Sequence, residues 1–120
     1  MLGTDIIFNW RGSWNFQTWK EQALLTAIAR VLAVGILGPI AEEMIFRGLL
    51  LAKLGRLNLN KCVNLLIVTV LWTTIHVDYS FEVLALIFAN GILLGLSLYF
   101  SRSLIIPIIL HILWNLYAVW

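Results

Sequence analysis

The sequence predicts an all-α fold, a polytopic membrane helix bundle of about four to five hydrophobic helices. Two observations carry this expectation. Of 120 residues, 62% are hydrophobic and only 12% carry a formal charge, against roughly 45–50% and about 25% in a typical soluble domain. The apolar residues are also gathered into runs separated by short polar turns, and the mean hydropathy is +0.95. Eight Lys/Arg and six Asp/Glu are too few to cover a water-soluble exterior, so the expected solvent is lipid. At about 20 apolar residues per crossing, the length holds one membrane domain and no second soluble one. A net charge of +2 is too weak and scattered for a nucleic-acid partner. The single cysteine, Cys62, excludes an internal disulfide and a thiolate metal site, and is read as a small buried apolar residue.

Residues 1–22 mix Phe8, Trp10, Trp14, Phe16 and Trp19 with Arg11 and Lys20, the chemistry of a headgroup layer, and are read as an interfacial N-terminal segment. They lack the features of a signal peptide. Residues 23–120 form the membrane domain. Ala23 to Pro39 is apolar apart from Arg30, which is read as a snorkelling residue. Gly38-Pro39 predicts a break and the start of a new helix. Ile40 to Leu54 follows with helix-forming composition but carries Glu42, Glu43 and Arg47. Gly55 to Lys61 reads as a polar turn. Cys62 to Val77 is uncharged and ends in His76, and an acidic connection with Asp78 and Glu82 leads to the uncharged run Val83 to Phe100. There Gly91 and Gly95 let neighbouring helices approach closely. After the turn Ser101-Arg102-Ser103, Leu104 to Trp120 is the last run, bent at Pro107 and containing His111 and Asn115. Trp and Tyr near both termini are read as interface anchors. Lys53, Arg56, Lys61 and Arg102 place their connections on the cytoplasmic side, which predicts an N-terminus inside and a C-terminus outside.

An ionisable side chain at membrane depth costs about 2.5–3.5 kcal/mol on insertion scales. Glu42, Glu43, Arg47, His76 and His111 are therefore expected to have a purpose. Residues four apart share a helix face, and this spacing joins Glu43 with Arg47, Trp72 with His76, and His111 with Asn115. Glu43 is expected to pair with Arg47, leaving Glu42 to face a pocket. A buried carboxylate is a suitable general base for water, an imidazole can hold that water, and His and Asn side chains can donate to a developing oxyanion. The serines and Cys62 lie away from the histidines, so direct attack by water is preferred over a covalent nucleophile. Each group also has a plain reading: Glu42, Glu43 and Arg47 at a helix end among headgroups, His76 as an interfacial histidine, His111 and Asn115 as a hydrogen-bonded pair between helices.

At these residues the sequence resembles the CPBP intramembrane proteases, a family that includes the type II CAAX prenyl endopeptidases and the Abi or bacteriocin-immunity proteins. The EExxxR motif is matched by Glu42-Glu43-Met44-Ile45-Phe46-Arg47, FxxxH by Trp72-Thr73-Thr74-Ile75-His76 with Trp in place of Phe, and HxxxN by His111-Ile112-Leu113-Trp114-Asn115. The resemblance implies an endopeptidase in which Glu42 is the general base on the hydrolytic water together with His76. His111 and Asn115 would stabilise the tetrahedral oxyanion, and Glu43 and Arg47 would orient the site. No tightly bound metal is expected; the alternative is zinc through Glu42, His76 and His111. The expected partners are membrane lipid and a membrane-associated peptide or protein substrate, in a bacterial plasma membrane, with room for an oligomer or partner chain to close the pocket. The competing functions are a non-catalytic immunity or partner-binding membrane protein and a proton or ion pathway.

Overall fold

The structure is a computed structural model and describes residues 23–119; the expected interfacial segment 1–22 lies outside the described residues. These form four helices and no strand: α1 (Leu24–Leu54), α2 (Lys61–Thr74), α3 (Phe81–Ser101) and α4 (Ile105–Val119). The chain is a membrane helix bundle, as its composition predicts. α1 and α3 have mean hydropathies of 2.0 and 2.2 over windows of which only 17% and 28% are buried. Their apolar side chains, among them Leu24, Leu25, Leu37, Leu93 and Phe100, face outward. A soluble core helix would hide such residues.

The expected break at Gly38-Pro39 does not occur, and α1 is one rod of 31 residues. The reason lies in its register. Two stretches, Val31–Leu37 and Met44–Leu50, are π-helical and flank the α-helical Gly38–Glu43. At the end of the first, Gly38 N–H bonds to Ala33 O, five residues back. In that register the donor to Val34 O is residue 39, a proline with no N–H. The helix therefore passes through Pro39 with one carbonyl released, whereas a true break would leave several backbone groups unpaired in lipid.

Capping residues fix the other ends. Asn60 caps α2, its Oδ1 accepting from Cys62 N–H at 2.8 Å, and Ser80 Oγ accepts from Val83 N–H to open α3. Arg102, at φ 55°, ends α3 with its N–H on Leu98 O. Pro107 lies in the first turn of α4, where its missing N–H forfeits no helical bond and the expected bend is not needed. Cys62 is exposed at the start of α2, not buried.

The helices alternate in direction. Gly91 and Gly95 of α3 lie against Thr69, Trp72 and Leu65 of α2; a Cβ at Gly91 would meet Thr69 Cγ2 at 2.8 Å and Trp72 Cε3 at 2.9 Å. α4 runs antiparallel to α1, with Leu116 beside Gly35, His111 beside Glu43 and Leu104 beside Gly48. Lys53, Arg56, Lys61 and Arg102 thus share one end of the bundle, and Asp78 and Glu82 mark the other. Because α1 is a single helix, its start lies at the same end as the end of α4. The predicted topology loses one crossing, and the start of the domain moves to the side of its C-terminus.

Candidate active site

Three helices bring the sequence-predicted residues together. Glu43 is fully buried at the centre of the cluster. Its Oε1 accepts from Arg47 Nη1 at 3.1 Å and lies 2.8 Å from His111 Nδ1. A carboxylate paired with arginine is an acceptor, so His111 carries its proton on Nδ1 and turns Nε2 toward Glu42. That nitrogen stands 3.9 Å from Glu42 Oε2. Arg47, also buried, donates a second bond from Nη2 to Gly91 O at 3.0 Å, tying α1 to α3. The i, i+4 pairing of Glu43 with Arg47 and the outward turn of Glu42 are thus as the spacing predicts.

Glu42, Glu43 and Arg47 do not sit at a helix end. Glu42 is 12 residues from Leu54, about 18 Å along the axis at 1.5 Å per residue, and Arg47 is seven, about 10 Å. All three charges therefore lie within a rod long enough to cross a core about 30 Å thick and not at its end. Lipid offers no partner there. The protein supplies them instead.

α2 ends at Thr74, one turn before expected, and His76 falls in the following turn. It is still held as the spacing requires, with Nδ1 2.9 Å from Trp72 O. A carbonyl only accepts, so His76 too is protonated on Nδ1, leaving Nε2 for the cavity that it lines. Asn115 lines the same cavity. Its Nδ2 donates to Val34 O at 2.9 Å, the carbonyl that Pro39 leaves without a helical donor. One amide N–H is spent on this anchor, and the other remains for the cavity.

The cavity measures about 240 Å³ and is lined by Glu42, Trp72, His76, Tyr79, His111 and Asn115, with Val34, Ile87 and Trp114 among its apolar walls. Every lining residue lies at the depth of Glu42 or toward the acidic end of the bundle. Trp114, expected as an interface anchor, is a wall of the site. Burial, and the nearby Asp78 and Glu42 charges, push the Tyr79 phenol above its ordinary range, so it stays a neutral hydroxyl at pH 7.

Sequence reasoning placed Trp72 on the His76 face as the counterpart of the Phe in FxxxH and missed its hydrogen bond. Its indole Nε1–H donates to Glu42 Oε2 at 2.6 Å. The same ring lies under the Arg47 guanidinium at 4.7 Å and meets the rings of His76 and His111 edge-on at 5.2 and 5.3 Å. The signal was the departure of Trp from the Phe of FxxxH, since an indole carries a donor that a phenyl lacks.

Zinc held through Glu42, His76 and His111 would need the three side chains to converge on one point. Nδ1–H bonding to a carboxylate, as in His111, is common around metal ligands. However, among the described residues no three His, Cys, Asp or Glu side chains gather closely enough to hold an ion, and Glu42 Oε2 is already bonded to Trp72.

The profile of the type II CAAX prenyl endopeptidase Rce1-like family matches residues 24–117. The chain belongs to this family. A relative from Staphylococcus aureus (strain USA300), the membrane-embedded CAAX protease MroQ, is 30% identical over 94 residues, which cover 74% of this chain and 37% of that protein. The chain thus spans little more than a third of the length of this relative. No solved structure matches. The matched region contains all of α1 to α3 and the His111–Asn115 face of α4, so the family core and the polar cluster coincide.

Proposed function

We propose that this CAAX-protease-family chain is an intramembrane endopeptidase that hydrolyses a peptide bond of a membrane-associated peptide or protein by water activated at Glu42. The observation that carries the reading is the 3.9 Å gap between Glu42 Oε2 and His111 Nε2, opening on a polar-lined cavity in an apolar bundle. A water bonded to both atoms at about 2.8 Å would subtend an angle of about 90°, close enough to tetrahedral for both bonds to form. Glu42 takes a proton as the water oxygen attacks the substrate carbonyl carbon. When the His111 ring carries its second proton, its Nε2–H donates to the water oxygen, and the two water hydrogens go to Glu42 and to the Nε2 of His76, whose Nδ1–H is fixed on Trp72 O. The carbonyl oxygen becomes anionic and meets the remaining Asn115 N–H and, when the ring carries its second proton, His111 Nε2–H. Glu42 then passes the proton to the amine nitrogen as the C–N bond breaks. Glu43 and Arg47 hold His111 in place.

The family match favours a peptide bond as target. The positive-inside rule puts the basic end in the cytoplasm, so the cavity faces the outer half of what we propose is a bacterial plasma membrane. None of these steps requires a metal. Hydrolysis that survives exhaustive dialysis against a chelator is the expected result, and loss restored by zinc would overturn the metal-free reading.

The test is hydrolysis of fluorogenic membrane-anchored peptides, farnesylated and unmodified, by the full chain in lipid vesicles. Glu42→Gln keeps volume and hydrogen bonding but removes the base, and a loss of about 10²–10⁴-fold is expected. Undiminished hydrolysis by Glu42→Gln, or none by the wild type, would refute the proposal. A chain that protects cells against a bacteriocin equally well with Gln at position 42 would be a binding protein instead.

A further inference from the structure

Trp72 is the point where this chain departs from the FxxxH pattern, and the structure gives that departure chemical content. The indole is 2% exposed and its Nε1–H points at the carboxylate oxygen that faces His111. At 2.6 Å this is a short, charge-assisted bond. The ring cannot easily swing away. Arg47 stacks on it, His76 and His111 abut it, and Gly91 presses it from α3 at a distance that leaves no room for even a methyl group.

We infer that Trp72 is a positioning residue that aims the Glu42 carboxylate at the hydrolytic water through its indole N–H. The inference rests on the reading of Glu42 as the base and adds to it. A Glu side chain has three rotatable bonds, and among the described residues the indole supplies the one hydrogen bond that holds that of Glu42. His111 at 3.9 Å is too far for a direct hydrogen bond. With Oε2 tied to the indole on α2, the carboxylate plane is set, and the lone pair left on that oxygen is the one that accepts the proton of a water in the gap toward His111. A phenyl at position 72 fills the same wall but leaves Glu42 free to rotate.

The experiment compares three forms of the full chain in lipid vesicles with a cleavable membrane-anchored peptide. Trp72→Phe removes the donor with a modest loss of volume. Replacement of Trp72 alone by 3-benzothienylalanine, through nonsense suppression, keeps the bicyclic shape and exchanges the N–H for sulfur. In both, kcat is expected to fall roughly ten-fold or more, the scale of a lost hydrogen bond to a charged group. KM should stay within about two-fold and thermal unfolding unchanged for the isostere. If the isostere retains wild-type kcat, the N–H does no positioning and the inference falls; if its loss is all in KM, Trp72 binds substrate instead. Glu42→Gln separates the two layers. If that variant stays active, the reading of Glu42 itself has failed, whatever Trp72 does. If it is inactive while the isostere is fully active, only the present inference has failed.

Discussion

Removing Arg47 tests whether the buried ion pair serves the fold or the site. In Arg47→Met, Glu43 keeps its full burial and loses the donor at 3.1 Å, leaving an uncompensated carboxylate. The expected destabilisation is about 3–5 kcal/mol, the usual penalty for breaking a buried pair from one side. Glu43→Leu strands the guanidinium in the same way, although Gly91 O and the Trp72 ring still receive it. The double variant Glu43→Leu, Arg47→Met removes both charges and leaves one unmatched polar group, the Nδ1–H of His111, at a cost of about 1–3 kcal/mol. The double should therefore be more stable than Arg47→Met by about 2 kcal/mol, where independent effects would sum to about 6–10 kcal/mol. Denaturant-induced unfolding in mixed micelles measures all three. The double is nevertheless expected to be catalytically dead, because His111 then has nothing to hold its ring. A double variant less stable than Arg47→Met, or one that still hydrolyses peptide, would refute the argument.

Three further outcomes follow from the same geometry. Pro39→Ala restores an N–H that competes with Asn115 for Val34 O, so kcat should fall while unfolding shows equal or greater stability; unchanged kcat would separate Asn115 from the reaction. Gly91→Ala forces a methyl into Thr69 and Trp72 and should cost about 1–3 kcal/mol as an overpacked contact, with activity lost as the indole shifts, whereas Gly55→Ala meets only ordinary contacts near 3.4 Å and should be silent in both assays. Cys62, the one cysteine, is exposed at the basic end; a membrane-impermeant maleimide should label it in inverted vesicles and spare it in intact cells, and the reverse pattern would invert the proposed orientation.

Much of the site was legible because helical spacing is a local property. Glu43 and Arg47, and Trp72 and His76, are each joined by a hydrogen bond or ring contact at four residues' separation. His111 and Asn115 both reach the cavity, although each is anchored to α1 and not to the other. What the sequence hid depends on register and on contacts across helices. Gly38-Pro39 reads as a break because its usual meaning assumes bonds four residues back, and the five-residue register of Val31–Leu37 removes that assumption. The consequence was an error of depth. With a break, Glu42 falls near a helix end among headgroups; without one it lies mid-rod. The Trp72 bond spans 30 residues of sequence and no periodicity reports it.

The continuous α1 also explains why the polar cluster is tolerated in lipid. Four ionisable groups, Glu42, Glu43, Arg47 and His111, would together cost about 10–14 kcal/mol if each carried the full insertion penalty. A helix broken at Pro39 would add unpaired backbone to that sum. Keeping the rod whole confines the loss to one carbonyl, Val34 O, and Asn115 takes it up. The backbone group left over from crossing a proline thereby becomes the anchor for a side chain of the proposed site. Trp72 does the same on the other side of the cavity, covering Arg47 with its face while its edge donor serves Glu42. Val34 O and the Arg47 guanidinium, two polar groups that the fold must accommodate in lipid, are met by residues that also fix the geometry of the site. Stability and orientation are thus coupled here, and variants that restore one without the other, such as the charge-free double at positions 43 and 47, are the ones that separate them.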